Sequence, residues 1–238
     1  MTADESRAAG WYKSMMTIGP DPKPIRTGAT LHTLCVTDGE LATYKLFSRV
    51  YGGKSDDDLN NKQQENTSSL QKWINLYNIM LHPFKGKGRG VTMDSAYMGD
   101  IMAQIGQYEW QINMVGTAQA NRTGADAGPD CKKMKKGTHE TIMWQHNTMP
   151  LVFAAWSDNN IVKTLSNCHS AFVVEGGLHH RIKIDNVRQR LQTPVDCPQQ
   201  QVKYSDTFHL IDKGNGVKSK YDIGGHRYVR KSTMGRKH

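Results

Sequence analysis

The chain has 238 residues, a hydrophobic content of 37% and a formal net charge of +9. This apolar content excludes a wholly disordered chain, and no apolar run approaches the roughly 18 residues of a membrane-spanning helix. The basic surplus favours a polyanionic partner, nucleic acid first. The chain opens without an apolar signal segment, and its four cysteines form no C-x-x-C pair. We therefore expect an intracellular protein with reduced thiols, in the nucleus rather than secreted.

The first third of the chain predicts a hairpin and a helix. Residues 1–28 are polar and contain several prolines, so we interpret them as a leading segment. Residues 29–36 and 41–51 favour strands, and Asp38 with the following glycine predicts the turn between them. Residues 68–82 have apolar side chains at helical spacing.

The middle of the chain predicts a βαβ unit. A flexible basic turn, residues 85–90, leads into a short apolar strand at 91–94. Helical spacing follows at 100–108, and a second short strand spans 111–115. Strand, helix and strand in this order predict two parallel strands joined by a crossover.

The remaining segments are less regular. Residues 141–145 and 150–156 predict a second hairpin, and 161–165 a further strand. Residues 170–202 show no clear pattern. Residues 205–221 predict a helix, although two glycines weaken it.

Asp94 stands at the carboxyl end of an apolar strand, just before a predicted helix. Binding sites collect at this edge of open α/β sheets, and carboxylate oxygens suit Mg²⁺ or Mn²⁺. Two such ions stabilise both the attacking and the leaving oxygens of a phosphoryl displacement. The alternative is that Asp94 only caps the helix that follows it.

The segment from Val91 to Arg122 resembles the second catalytic block of piggyBac-type transposases. In both, a strand ending in Asp precedes an aromatic residue, a helix and an apolar strand that ends Val115-Gly-Thr117. Asp4-Glu5 resembles the acidic pair that opens the family's catalytic domain. Other matching places are Lys23-Pro24, Gly28, Cys35, Gly137-Thr138, Trp156 and Ile211-Asp212.

The resemblance implies an α/β fold, an RNase H-like mixed sheet flanked by helices and incomplete at the C-terminus. We expect a catalytic-domain portion truncated at both ends. Residues 1–28 would form the leading segment and 29–222 the RNase H-like transposase-type domain, with an insertion near 170–202. Residues 223–238 would form a basic tail.

The resemblance also implies three acidic residues that hold two divalent metal ions, Mg²⁺ or Mn²⁺. By residue match Asp94 is the second acid and Asp212 the third, and Asp206 is the alternative for the third. Asn215 occupies the place of an accessory Asp, without its charge.

The first acid departs from the family's pattern. The resemblance places it directly after the strand cysteine, where this chain has Val36. Asp38 follows two residues later on the same pleat face, so we expect it to supply the carboxylate. The alternative is that Asp38 is only a turn residue.

The expected partner is DNA, with no membrane, and a homodimer is a candidate assembly. The side chains expected to contact DNA are Arg122, Lys213, Lys218, Lys220, Arg227, Arg230 and Lys231. Two functions stay open. One is metal-dependent cleavage and transfer of DNA strands by a DDE-type transposase. The other is DNA binding by a catalytically inactive, domesticated or degenerate remnant, which Val36 at the first-acid position favours.

Overall fold

A computed structural model describes residues 1–9, 28–50, 68–123, 131–183, 190–210 and 213. Several predicted residues lie outside the described residues: Asp212, Asn215, Lys218, Lys220, Arg227, Arg230 and Lys231.

One mixed eight-stranded sheet is the framework of the described chain. Its strands are β1 Thr2–Ala9, β2 Gly28–Cys35, β3 Lys45–Val50, β4 Gly90–Met93, β5 Asn113–Thr117, β6 Thr141–Gln145, β7 Val152–Ser157 and β8 Ile161–Ser166. They lie in the order β3-β2-β1-β4-β5-β8-β7-β6. β4 is parallel to both β1 and β5, and the other neighbours in this sheet pair antiparallel. The expected mixed α/β fold class is confirmed.

The helices and a second sheet complete the described fold. The helices are α1 Ser69–Met80, α2 Asp100–Ile105 and α3 Gln199–Thr207, with a π-helical turn at Gly106–Trp110 and 3-10 turns at His82–Phe84 and Ala120–Arg122. β9 Val173–Lys183 and β10 Arg190–Pro198 form a separate antiparallel pair. No described helix has both the length and the apolar character needed to cross a bilayer.

The core explains why the central strands are short apolar runs. Val91 and Met93 of β4 and Met114 of β5 are all buried. Strands buried on both faces need no polar alternation. The hydroxyl of Ser68 accepts the N–H of Gln71 and so caps α1, whose buried face then joins this core. The predicted βαβ unit and both hairpins are therefore present.

Two segments differ from the sequence-based expectation. Residues 2–9, predicted as part of the leading segment, instead form β1 in the middle of the sheet. The strand is polar apart from small alanines, so its strand conformation depends on pairing with β2 and β4 rather than on its own pattern. The final helix begins at Gln199, earlier than expected, and Leu210 and Lys213 are also helical.

Asn167 joins three elements from the end of β8. Its side-chain oxygen accepts the N–H of Met114 at 2.6 Å. Its amide nitrogen donates to the carbonyls of Ala103 and Ile112, each at 3.1 Å. The side chain is 2% exposed, so loss of the amide would remove three buried hydrogen bonds. The carbonyl of Ala103 would keep the N–H of Gly106 as a partner, whereas the N–H of Met114 would lose the side-chain oxygen that accepts it.

We predict that Asn167→Ala lowers the free energy of unfolding by about 3 kcal/mol, because three hydrogen bonds in the core are lost. Urea unfolding followed by circular dichroism measures the change. The matched control is Asn160→Ala, which removes one exposed hydrogen bond with Lys136 and should cost less than about 0.5 kcal/mol. Equal losses in the two variants would contradict this role of Asn167.

Candidate active site at the carboxyl edge of the central strands

Two aspartates meet where β1 and β4 run side by side. The strands are parallel, and Ala3 lies opposite Met93. The next residues are Asp4 and Asp94, and both line one cavity of about 230 Å³. Parallel neighbouring strands are roughly 4.8 Å apart. The structure therefore brings together two carboxylates from segments 90 positions apart in the sequence.

The carboxylate of Asp94 is held by its neighbours. Its Oδ1 accepts the N–H of Ser95 at 2.6 Å and the hydroxyl of Thr117 at 3.2 Å. The N-cap of α2 is Gly99, so Asp94 does not cap that helix. The side chain is exposed and lines the cavity that Asp4 also lines.

The Val-Gly-Thr sequence at the end of β5 has a direct physical reason. Gly116 lies opposite Met93, and a Cβ on Gly116 would be 2.4 Å from the carbonyl oxygen of Met93. Only glycine lets the strands approach this closely. Thr117, the next residue, then reaches the carboxylate of Asp94.

The turn after Asp94 is fixed from two sides. Arg122 donates to the carbonyls of Ser95 and Ala96, at 3.1 and 2.6 Å. The buried ring of Tyr97 makes an edge-on contact with Trp73 of α1, with centroids 4.8 Å apart. Arg122 was expected to contact DNA, but in this structure its guanidinium binds the turn that carries the site.

Helix α3 covers the same cavity. Tyr204 and Phe208 line it, and their rings stack at 5.1 Å with an interplanar angle of 9°. The hydroxyl of Thr117 lies 3.4 Å from that of Tyr204. Burial raises the pKa of Tyr204 to about 12, so this phenol stays protonated at neutral pH. The hydroxyl of Thr207 bonds that of Thr92 at 2.7 Å and attaches the helix to β4.

The two candidates for the third acid differ in position. Asp206 is exposed and lies two residues beyond Tyr204, about 200° around the helix from the cavity. Asp212 is outside the described residues. Lys213 is exposed, and its backbone N–H donates to the carbonyl of His209 at 2.9 Å.

Asp38 is not at this edge of the sheet. β2 is antiparallel to β1, with Cys35 opposite Thr2, so residues after Cys35 extend past the beginning of β1. Asp38 lines a different cleft, which also contains Gly90 at the start of β4. The four residues of β4 separate that end from Asp94 by about 13 Å. The expectation that Asp38 lies beside Asp94 is therefore wrong, because β2 runs in the direction opposite to β1.

The donor set suits a hard divalent cation. Asp4 and Asp94 supply two carboxylates, the number with which proteins commonly bind Mg²⁺ alongside substrate phosphates. Within the described residues, no group of three or more His, Cys, Asp or Glu side chains is placed to hold a metal ion. A complete three-acid site would therefore need a residue such as Asp212.

The mixed sheet is similar to that of a solved transposase. The match is to piggyBac transposase in a synaptic complex with hairpin DNA, with a TM-score of 0.62 and 18% identity. It covers 92% of this chain and 40% of that chain, so the present chain spans about two fifths of that protein's length. No curated protein matches the sequence.

The family follows from the sequence comparison. The family model described as Transposase IS4 matches residues 17–233, and the chain belongs to this transposase family. The expected resemblance to piggyBac-type transposases is confirmed. Members of such DDE families use divalent metal ions in general.

We predict that Gly116→Ala destabilises the protein and disturbs the site, because the added methyl group would overlap the carbonyl of Met93, directly before Asp94. Overpacking of this kind costs about 1–3 kcal/mol. Thermal unfolding measures the loss. Gly90→Ala is the control on the same strand pair, since its Cβ would be 3.8 Å from its nearest neighbour. If both variants unfold at the same temperature, the close approach of β4 and β5 does not require glycine.

Proposed function

We propose that the chain is the catalytic portion of a metal-dependent transposase that cleaves and joins DNA strands. The observation that carries the proposal is the adjacency of Asp4 and Asp94 at the carboxyl edge of parallel strands. Membership of a transposase family supports the reaction class. The strand order β3-β2-β1-β4-β5, with β1, β4 and β5 parallel, supports an RNase H-like domain. In this proposal Asp4 takes the role that Asp38 was expected to have.

Asp212 is the third acid in this proposal. It follows Tyr204 by eight residues and Phe208 by four. Residues at this spacing share one face of a helix, and the face that carries Tyr204 and Phe208 covers the two aspartates. Asp206 follows Tyr204 by only two residues and therefore lies on a different face of the helix.

Asp4, Asp94 and Asp212 would hold Mg²⁺ or Mn²⁺. When bound, such ions stabilise both the attacking and the leaving oxygens of a phosphoryl displacement. The chain's own groups keep the acids in place. Thr117 restrains one oxygen of Asp94, and Arg122 braces the turn that follows it. Arg122 is therefore a positioning residue in this proposal rather than a DNA contact.

DNA is the proposed partner, and the nucleus the proposed location. The net charge of +9 supports a polyanionic partner, and the similar solved transposase is described in complex with hairpin DNA. Exposed Lys213 lies close beyond α3 in the sequence. We propose it as a phosphate contact with Lys218, Lys220, Arg227, Arg230 and Lys231. A homodimer is the proposed assembly.

A second candidate function is DNA binding without cleavage. The observation that favours it is Asn215 in the place of the accessory acid. An amide oxygen can bind a cation, but it adds no negative charge. The two functions differ in one result, metal-dependent strand cleavage.

We predict that Asp4→Asn and Asp94→Asn each abolish Mn²⁺-dependent nicking of supercoiled DNA, because each removes a carboxylate ligand. Asp206→Asn is the matched control, since this exposed side chain lies on the other side of α3. Asp38→Asn should also retain cleavage at saturating DNA. If Asp38→Asn abolishes nicking and Asp4→Asn does not, the assignment of the first acid is refuted. DNA binding without nicking in any divalent ion supports the second function instead.

We also predict that Thr117→Val weakens the apparent Mn²⁺ affinity by about 10- to 100-fold, the usual cost of losing an outer partner of a metal ligand. Thr117→Ser keeps the hydroxyl and should restore the affinity. The measurement is nicking rate against Mn²⁺ concentration. If Thr117 only supported the structure, the serine variant would not recover the Mn²⁺ affinity when variants of equal stability are compared.

A further inference from the structure

The basic loop between α1 and β4 is not used by the proposed active site. Gly86 and Gly88 have φ angles of 68° and 60°, which glycine adopts without strain. The chain can therefore reverse sharply here. The ammonium of Lys85 lies 5.0 Å from the ring centroid of Trp110, so this first lysine of the loop packs against the protein.

The other two cations of the loop line a cleft. Lys87 and Arg89 lie on the wall of a cavity of about 980 Å³, and Lys203 of α3 lies on the same cavity. All three residues are exposed. The acid among the lining residues is Asp38. Three fixed cations against one carboxylate make this cleft strongly positive.

The histidine of the cleft adds little to this charge at neutral pH. Burial, and then the nearby ammonium of Lys203, lower the pKa of His169. Its Nδ1 is 2.7 Å from the hydroxyl of Ser166. The positive charge of the cleft therefore comes from its lysine and arginine side chains.

The cleft and the carboxylate cavity lie on two sides of one contact. Thr92 of β4 lines both cavities, and its hydroxyl bonds Thr207 of α3. On α3, Lys203 belongs to the cleft and Tyr204 to the carboxylate cavity. The length of β4, about 13 Å, corresponds to roughly four base-pair steps along the axis of a DNA duplex, at about 3.4 Å each. A single DNA backbone can therefore reach both places.

We propose that the cleft lined by Lys87, Arg89 and Lys203 binds the phosphate backbone of double-stranded DNA as a second contact, separate from the carboxylates. The inference rests on the proposed function in one respect, that DNA is the partner. Exposed cations on an open cleft suit a continuous polyanion, because successive phosphates can occupy them together.

Cys168 provides a reporter inside this cleft. It lines the cavity and is exposed, whereas Cys35, Cys131 and Cys197 are buried. Burial around the sulfur raises the pKa of its thiol, so alkylation by iodoacetamide is best run at mildly alkaline pH. Mass spectrometry of the digested full chain gives the rate of modification at each cysteine.

The proposal predicts that a short duplex DNA protects Cys168. At about ten times its Kd, the duplex should slow alkylation roughly tenfold, because about one tenth of the protein is unbound. In the double variant Arg89→Gln with Lys203→Gln, the same DNA concentration should protect much less. Rates are compared with and without DNA within each variant, since Lys203 also affects the thiol. The control, Lys132→Gln with Lys135→Gln, removes two exposed charges outside the cleft and should keep full protection.

A second measurement gives the number of phosphates. In the cleft variant, the slope of log Kobs against log salt concentration should become less steep by about two, one for each lost contact. DNA that binds without protecting Cys168, or with an unchanged salt slope in the cleft variant, overturns the cleft proposal and leaves the proposed function intact. No DNA binding at low salt overturns the proposed function as well.

Discussion

The parallel pairing of β1 with β4 is the constraint on which the site depends. It joins two acidic residues that would repel each other if nothing held their strands in register. The register is set by the rest of the sheet, because β1 is also paired along its length with β2 and β4 is buried against β5. A preformed pair of like charges favours binding of a cation, and the proposed phosphoryl-transfer chemistry would use such an ion.

The second constraint is the way α3 lies across the sheet. Its contacts are polar: Gln200 donates to the backbone and side chain of Thr164, and Thr207 bonds Thr92. Hydrogen bonds between buried groups fix direction as well as distance. The helix therefore has one definite orientation, with the stacked aromatic pair over the carboxylates and Lys203 over the basic cleft.

The apolar elements were predictable from sequence, and the polar ones were not. β4, β5 and both hairpins were found because their apolar runs or alternation end at turn residues. β1 has no such pattern, since small and polar side chains fill its place between β2 and β4. The start of α3 was also missed, because Gln200 is buried through hydrogen bonds and hydrophobic periodicity cannot detect it. Of the site, Asp94 was identified as a ligand candidate, and Asp4 was noted only as part of a resemblance.

The position of Asp38 shows why strand direction matters as much as the side-chain period. A period of two decides which face of a strand a side chain occupies, but the end of the sheet that it reaches depends on strand direction. Direction is a property of pairing, and β2 runs opposite to β1. Once Asp4 is placed beside Asp94, the valine at position 36 no longer leaves the proposed site without its first acid. Val36 then no longer favours a catalytically inactive remnant. Asn215 still does, but its neutral side chain leaves the three proposed acids in place.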